Sequence, residues 1–186
     1  MGKDGGNPDG PRRREVTNVL CVIAKLDEDA NERLASLRAA VFPGISALPP
    51  LYGHITMATY LPEDHKAFIK GCGEVLDAFP AFTVRYERIG FFTVSGVIFA
   101  QPSESPTLSA IHRRIAEKYG QDLDQWTGGA DWFPHTTLLS VPLADPDDAC
   151  RAMQRLFVPF ETRICRVEFS LVGDTGFTVL GGADLK

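Results

Sequence analysis

Apolar positions along this chain fall into two kinds of pattern that alternate with each other: short, nearly continuous runs of strand length and longer stripes at helical spacing. Val19-Leu20-Cys21-Val22-Ile23-Ala24 reads as a buried strand. Ala30, Leu34, Leu37 and Val41 then line one face of a helix behind a cap at Asp27. Phe68, Cys72, Val75, Leu76 and Phe79 make a second such face. Ser105-Pro106 has the cap-then-proline form that opens a helix, and Leu108, Ile111, Ile115 and Tyr119 follow as its stripe. Asp145-Pro146 repeats that opening ahead of Ala149, Met153, Leu156 and Phe157. Strand-like runs fill the spaces between these stripes, at 54–57, 82–88, 96–100, 135–138 and 160–166, with Gly90-Phe91-Phe92-Thr93-Val94 as an extra segment at the crossing point.

The alternation contains a duplication. Each half reads strand, helix, strand, helix, strand. Gly96-Val97-Ile98-Phe99-Ala100 in the second half corresponds to Val19–Ala24 in the first. The segments Phe82-Thr83-Val84-Arg85-Tyr86-Glu87-Arg88 and Phe160-Glu161-Thr162-Arg163-Ile164-Cys165-Arg166 match in Phe, Arg and Arg at an offset of 78 positions. On this basis they are expected to be equivalent strands of the repeat, with Arg85, Arg88, Arg163 and Arg166 at equivalent places.

The chemistry sits at the middle strand of each half. Gly53-His54-Ile55-Thr56-Met57 and Pro134-His135-Thr136-Thr137-Leu138 each carry a histidine with a threonine two residues on, and His135 follows His54 by 81 positions. Residues i and i+2 of a strand share a face, so each imidazole projects beside its hydroxyl. One His-x-Thr alone is an ordinary strand fragment, since Thr favours strands and His is often a hydrogen-bonded core residue. Two at equivalent places in a duplicated chain supply a general base, a general acid and two hydroxyl donors to one phosphodiester. With a pKa near 6.5, two imidazoles can divide the base and acid roles at neutral pH.

The paired motifs, the pseudo-repeat, the Arg88-Ile89-Gly90-Phe91-Phe92 segment and the Phe133-Pro134-His135-Thr136-Thr137-Leu138 context resemble the 2H phosphoesterase superfamily, which includes RNA 2',3'-cyclic phosphodiesterases, also called 2'-5' RNA ligases. The resemblance spans roughly residues 16 to 181. It implies an α+β fold, bilobal and pseudo-twofold, in which two antiparallel sheets form a central cleft with helices outside. It also implies that His54 and His135 act as the acid/base pair and that Thr56 and Thr137 hold the phosphate oxygens. Gly53 departs from the pattern, standing where a proline often precedes the first histidine. The implied activity is the opening of 2',3'-cyclic phosphates of RNA ends or nucleotides; a 2'-5' phosphodiesterase or ligase, and a non-catalytic phosphate- or RNA-end-binding module, are the alternatives.

The remaining features narrow this reading. A net charge of −5 over 186 residues argues against broad binding to nucleic acid, where phosphate neutralisation supplies most of the affinity, so the expected partner is an RNA end or a small nucleotide, met by a monomer. Tyr52, Phe92, Trp132 and Phe133 are the candidates for stacking on a base; Tyr52 and Phe133 lie on the histidine side of their strands and Trp132 on the other. The glycine-rich run 127–131 is expected to be a mobile loop, with Trp126 or Trp132 as a lid. His65 and His112 read as solvated. Cys21, Cys72, Cys150 and Cys165 have neither C-x-x-C spacing nor partnering histidines, so free thiols, a cytoplasmic setting and catalysis without metal or cofactor are expected. No apolar run reaches membrane length. Residues 1–15, rich in Gly, Pro, Asp and Arg, are expected to be a flexible tail ahead of a single domain at 16–186.

Overall fold

In a computed structural model the described residues are 18–43, 53–140, 145–173 and 176–186. They form, in order, β1 (Val19–Lys25), α1 (Glu28–Val41), β2 (His54–Tyr60), α2 (His65–Leu76), β3 (Phe82–Phe91), β4 (Ile98–Pro102), α3 (Pro106–Tyr119), β5 (Thr136–Leu139), α4 (Pro146–Leu156), β6 (Phe160–Ile164), β7 (Arg166–Gly173) and β8 (Gly176–Asp184). The three expected caps are in place: Asp27, Ser105 and Asp145 accept from the amides of Ala30, Leu108 and Asp148. Gly90 and Phe91 complete β3, and the segment after them is the connection to β4. The expected tail and Tyr52 lie outside the described residues.

The strands make two antiparallel four-stranded sheets, ordered β2-β1-β7-β8 and β5-β4-β3-β6, and the fold is α+β. The helices cross over between them. α1 leaves the first sheet and packs with α4 against β5, β6 and β3, while α3 leaves the second sheet and packs with α2 against β2 and β8. Tyr60 of β2 stacks on Phe68 of α2 at 3.9 Å, which marks the helix-covered face of the first sheet. Gln154 of α4 accepts from the Ile89 amide and marks that of the second.

The order of strands corrects one expectation. β3 and β6 are hydrogen-bonded partners in one sheet, with Phe82 opposite Ile164 and Tyr86 opposite Phe160. The strand that corresponds to β3 is β7, because β3 flanks β4 and β7 flanks β1. The matching Phe and Arg residues reflect similar inside-outside alternation on neighbouring strands. Their arginines are largely engaged: Arg85 lies 3.7 Å from both Glu87 and Glu161, Arg88 donates to Gln101 at 2.7 Å, and Arg166 meets Glu168 and Asp184 at 3.2 and 2.7 Å.

Candidate active site

β2 and β5 are the edge strands of their sheets, and these two edges meet. In β2 the side chains of Ile55 and Met57 are fully buried and those of His54 and Thr56 half-buried. His54 and Thr56 therefore share the face turned away from α2 and α3. β5 opens at Thr136, so His135 stands one residue before the strand rather than inside it, a small correction. The backbone is already extended there: His135 and Thr137 are half-buried on one side and Thr136 is buried on the other. Thr137 is paired with Phe99 and Thr136 with Ala100, so the second His-Thr pair likewise projects from the helix-free face of its sheet.

A relay joins the two motifs at the seam. The Thr136 hydroxyl donates to the His54 carbonyl at 2.9 Å. Having given its proton there, Thr136 accepts from the hydroxyl of Tyr86 at 2.5 Å. Tyr86 is completely buried, which pushes its pKa far up, so it serves as a neutral donor.

His135 sits among aromatic rings. Phe92 meets it edge-on at 5.0 Å, Phe99 at 5.5 Å, and Phe133 lies nearly parallel at 6.1 Å. Its Nδ1 is 2.9 Å from the Phe133 carbonyl. A carbonyl only accepts, so Nδ1 carries the proton and Nε2 keeps the lone pair. Burial is the larger influence on its pKa and lowers it from 6.5, against a smaller upward pull from that carbonyl. Gly90 makes the cage possible. It lies opposite Phe99, and a Cβ at Gly90 would fall 2.8 Å from Phe99 Cζ.

The glycine before His54 has a comparable reason. The Gly53 amide donates to Asn31 Oδ1, its carbonyl accepts from Leu26 at 3.2 Å, and a Cβ there would lie 2.7 Å from Asn31 Oδ1 and 2.8 Å from Leu26 Cδ1. Proline, with no N–H, would lose the first bond. Across the strand pair His54 faces Lys25, whose ammonium is 3.5 Å from Glu168.

Of the residues expected at the site, Phe92 and Phe133 surround His135, Thr137 shares its side of the strand, and His54 and Thr56 stand on the β2 edge whose His54 carbonyl Thr136 holds. Trp132 is turned beneath β2, its indole N–H donating to the Thr56 carbonyl at 3.0 Å and its ring stacked on His112 at 4.0 Å. His112 is a correction: it is 7 % exposed, not solvated, and its Nδ1 donates to the Met57 carbonyl at 2.9 Å. Its spacing of four from Leu108 placed it on the apolar stripe, the signal that would have found it. Run 127–131 is also less loose than expected. The buried Thr127 accepts from the Thr59 amide and donates to Asp124 Oδ1. Trp126 is 71 % exposed. Phe99, Tyr86 and Lys25 were missed as site neighbours. Phe99 and Tyr86 look like any core aromatic in a strand.

A profile described as the 2'-5' RNA ligase superfamily matches residues 26–174, which contain both motifs. The chain belongs to that superfamily. Solved structures agree in fold. Escherichia coli LigT complexed with 3'-AMP shares 18% identity at a TM-score of 0.66, over 91% of this chain and 98% of that one. TT0787 of Thermus thermophilus shares 18% at 0.65, over 90% and 97%. A structure described as a phosphoesterase shares 15% at 0.64, over 91% and 99%. LigT has also been solved with phosphate and with ATP. No curated protein matches this chain in sequence. Among the described residues no helix is long and apolar enough to cross a membrane, and no three His, Cys, Asp or Glu residues are grouped as a metal site.

Proposed function

We propose that the chain is a phosphodiesterase that opens 2',3'-cyclic phosphates of RNA ends or nucleotides by two-histidine acid/base catalysis, without a metal. The observation that carries this reading is the joining of the two motifs at the seam, where Thr136, between His135 and Thr137, bonds to the backbone of His54. Superfamily membership supports the reaction class.

In this mechanism His135 is the base. Its Nδ1 proton is held by the Phe133 carbonyl, and burial favours the neutral ring, so Nε2 takes the proton from the attacking water. His54 gives a proton to the departing ribose oxygen. The P–O bond to that oxygen breaks as the bond from water forms, leaving a phosphomonoester on one ribose oxygen and a free hydroxyl on the other. Thr56 and Thr137 donate to the non-bridging oxygens, where negative charge gathers. Phe92 and Phe133 offer apolar surface to the nucleoside. LigT's complex with 3'-AMP supports a nucleotide-sized ligand, and the superfamily's description makes 2'-5' linkages the second reading.

The test is a substrate panel in excess chelator: 2',3'-cyclic nucleotides, an RNA with a cyclic-phosphate end and a 2'-5'-linked dinucleotide. Turnover of the cyclic phosphates is expected. Turnover of the dinucleotide alone would favour the second reading, and phosphate or RNA-end binding with no turnover would leave a binding module.

A further inference from the structure

Both motifs are followed by the same irregularity. In the first sheet Ile23 pairs with Thr56 and Val22 with Ala58, so Met57 is an extra residue; in the second, Phe99 pairs with Thr137 and Ile98 with Leu139, so Leu138 is extra. Each threonine thus runs directly into a β-bulge, a device that redirects neighbouring side chains and leaves backbone groups without their ladder partners. The two bulges are held differently. Aligning the caps Asp27 and Ser105 places Leu34 of α1 at the repeat position of His112. Leu34 lines a small recess with Thr136, Thr137 and Leu138, and its side chain offers the bulge no hydrogen bond. At the first bulge the helix presents a buried imidazole instead.

That imidazole donates to the Met57 carbonyl and stacks on Trp132, which donates to the carbonyl of Thr56. Two consecutive carbonyls, one of them on the bulged residue, are held by one stacked pair. Burying an imidazole where the repeat has leucine costs free energy; its own bonds to the backbone of Met57 and Gly129 offset that cost, and the Trp132 stacked on it adds the bond to Thr56.

We propose that His112 and Trp132 are positioning residues: their stack locks the Met57 bulge and so aims Thr56 and His54 at the phosphate. The inference rests on the reaction proposed above. A misplacement of about 1 Å at a reacting group costs on the order of 100-fold in rate, so loosening the bulge should appear in kcat.

His112→Leu installs the residue of the other repeat and removes the donor, while His112→Asn returns an amide N–H close to where Nδ1 lies. With 2',3'-cyclic AMP as the probe, His112→Leu is expected to lower kcat about 10- to 100-fold with KM within about threefold, and His112→Asn to recover most of the loss. Trp132→Phe, which keeps the stack and loses the indole donor, should fall between them. Amide exchange in the absence of ligand gives the second readout: His112→Leu should speed exchange at Met57 and Ala58 and leave Leu138 and Leu139 unchanged. A folded His112→Leu with wild-type kcat, an Asn variant as impaired as the Leu variant, or exchange that rises equally at both bulges would overturn the proposal. Absence of wild-type turnover would strike the proposed reaction, and the exchange pattern alone would then decide whether the stack holds the bulge.

Discussion

The hydroxyl of Thr136 donates to the carbonyl of His54 at 2.9 Å, and this bond ties the start of one motif to the centre of the other. The bond is the last link of a buried polar chain that runs from Tyr86 through Thr136 to the backbone of His54 and does not involve the imidazoles.

Breaking the chain at its two links should have unequal effects. Thr136→Val leaves the Tyr86 hydroxyl and the His54 carbonyl without this partner, at a cost of about 1 to 3 kcal/mol. Tyr86→Phe leaves the Thr136–His54 bond in place and should cost about 1 kcal/mol. Urea unfolding midpoints of the two single variants and the double variant measure this. The double should be less destabilised than the sum, because both changes act on one network.

The pH profile follows from His135. Burial lowers its pKa from 6.5, and the proposed base must be neutral, so the acid limb of kcat/KM should lie below 6.5. The sign for stability is the same. As pH falls through 6.5 the unfolded chain takes up the proton first, so folding stability drops, and the loss is complete once the pH is below the folded value. Phe92→Ala opens the cage, lessens the desolvation and should move the limb up toward 6.5. An unmoved limb would mean that another group sets it.

Replacing Thr56 or Thr137 by valine keeps the strand shape and removes one hydroxyl. The expected loss in kcat/KM is about 10- to 100-fold for each, corresponding to a charge-assisted hydrogen bond of roughly 1.5 to 3 kcal/mol. Steady-state kinetics on a cyclic nucleotide check this.

What was legible in the sequence was whatever local rules control. The openings at Asp27, Ser105-Pro106 and Asp145-Pro146 are written in side chains that bond to amides three residues away, and all three helices start there. The sharing of one face by His54 and Thr56 follows from strand geometry alone. Pairing is not a local property. The Phe82 and Phe160 segments resemble each other as equivalent strands would, yet they are neighbours, because similar alternation suits both situations. The bulges at Met57 and Leu138 were hidden for a related reason: an extra residue is defined only against its partner strand. Burial of His112 was readable from its place four residues after Leu108; its bond to Met57, 55 positions away, was not.

The most direct measurement is turnover of a 2',3'-cyclic nucleotide by the wild type, His54→Ala, His135→Ala and the double variant, each shown to be folded. If the two imidazoles act as one acid/base unit, each single replacement lowers kcat about 10²- to 10⁴-fold, and the double variant is little worse than either single one. Near-normal kcat in both folded single variants would contradict the mechanism and leave the paired motifs with a binding role.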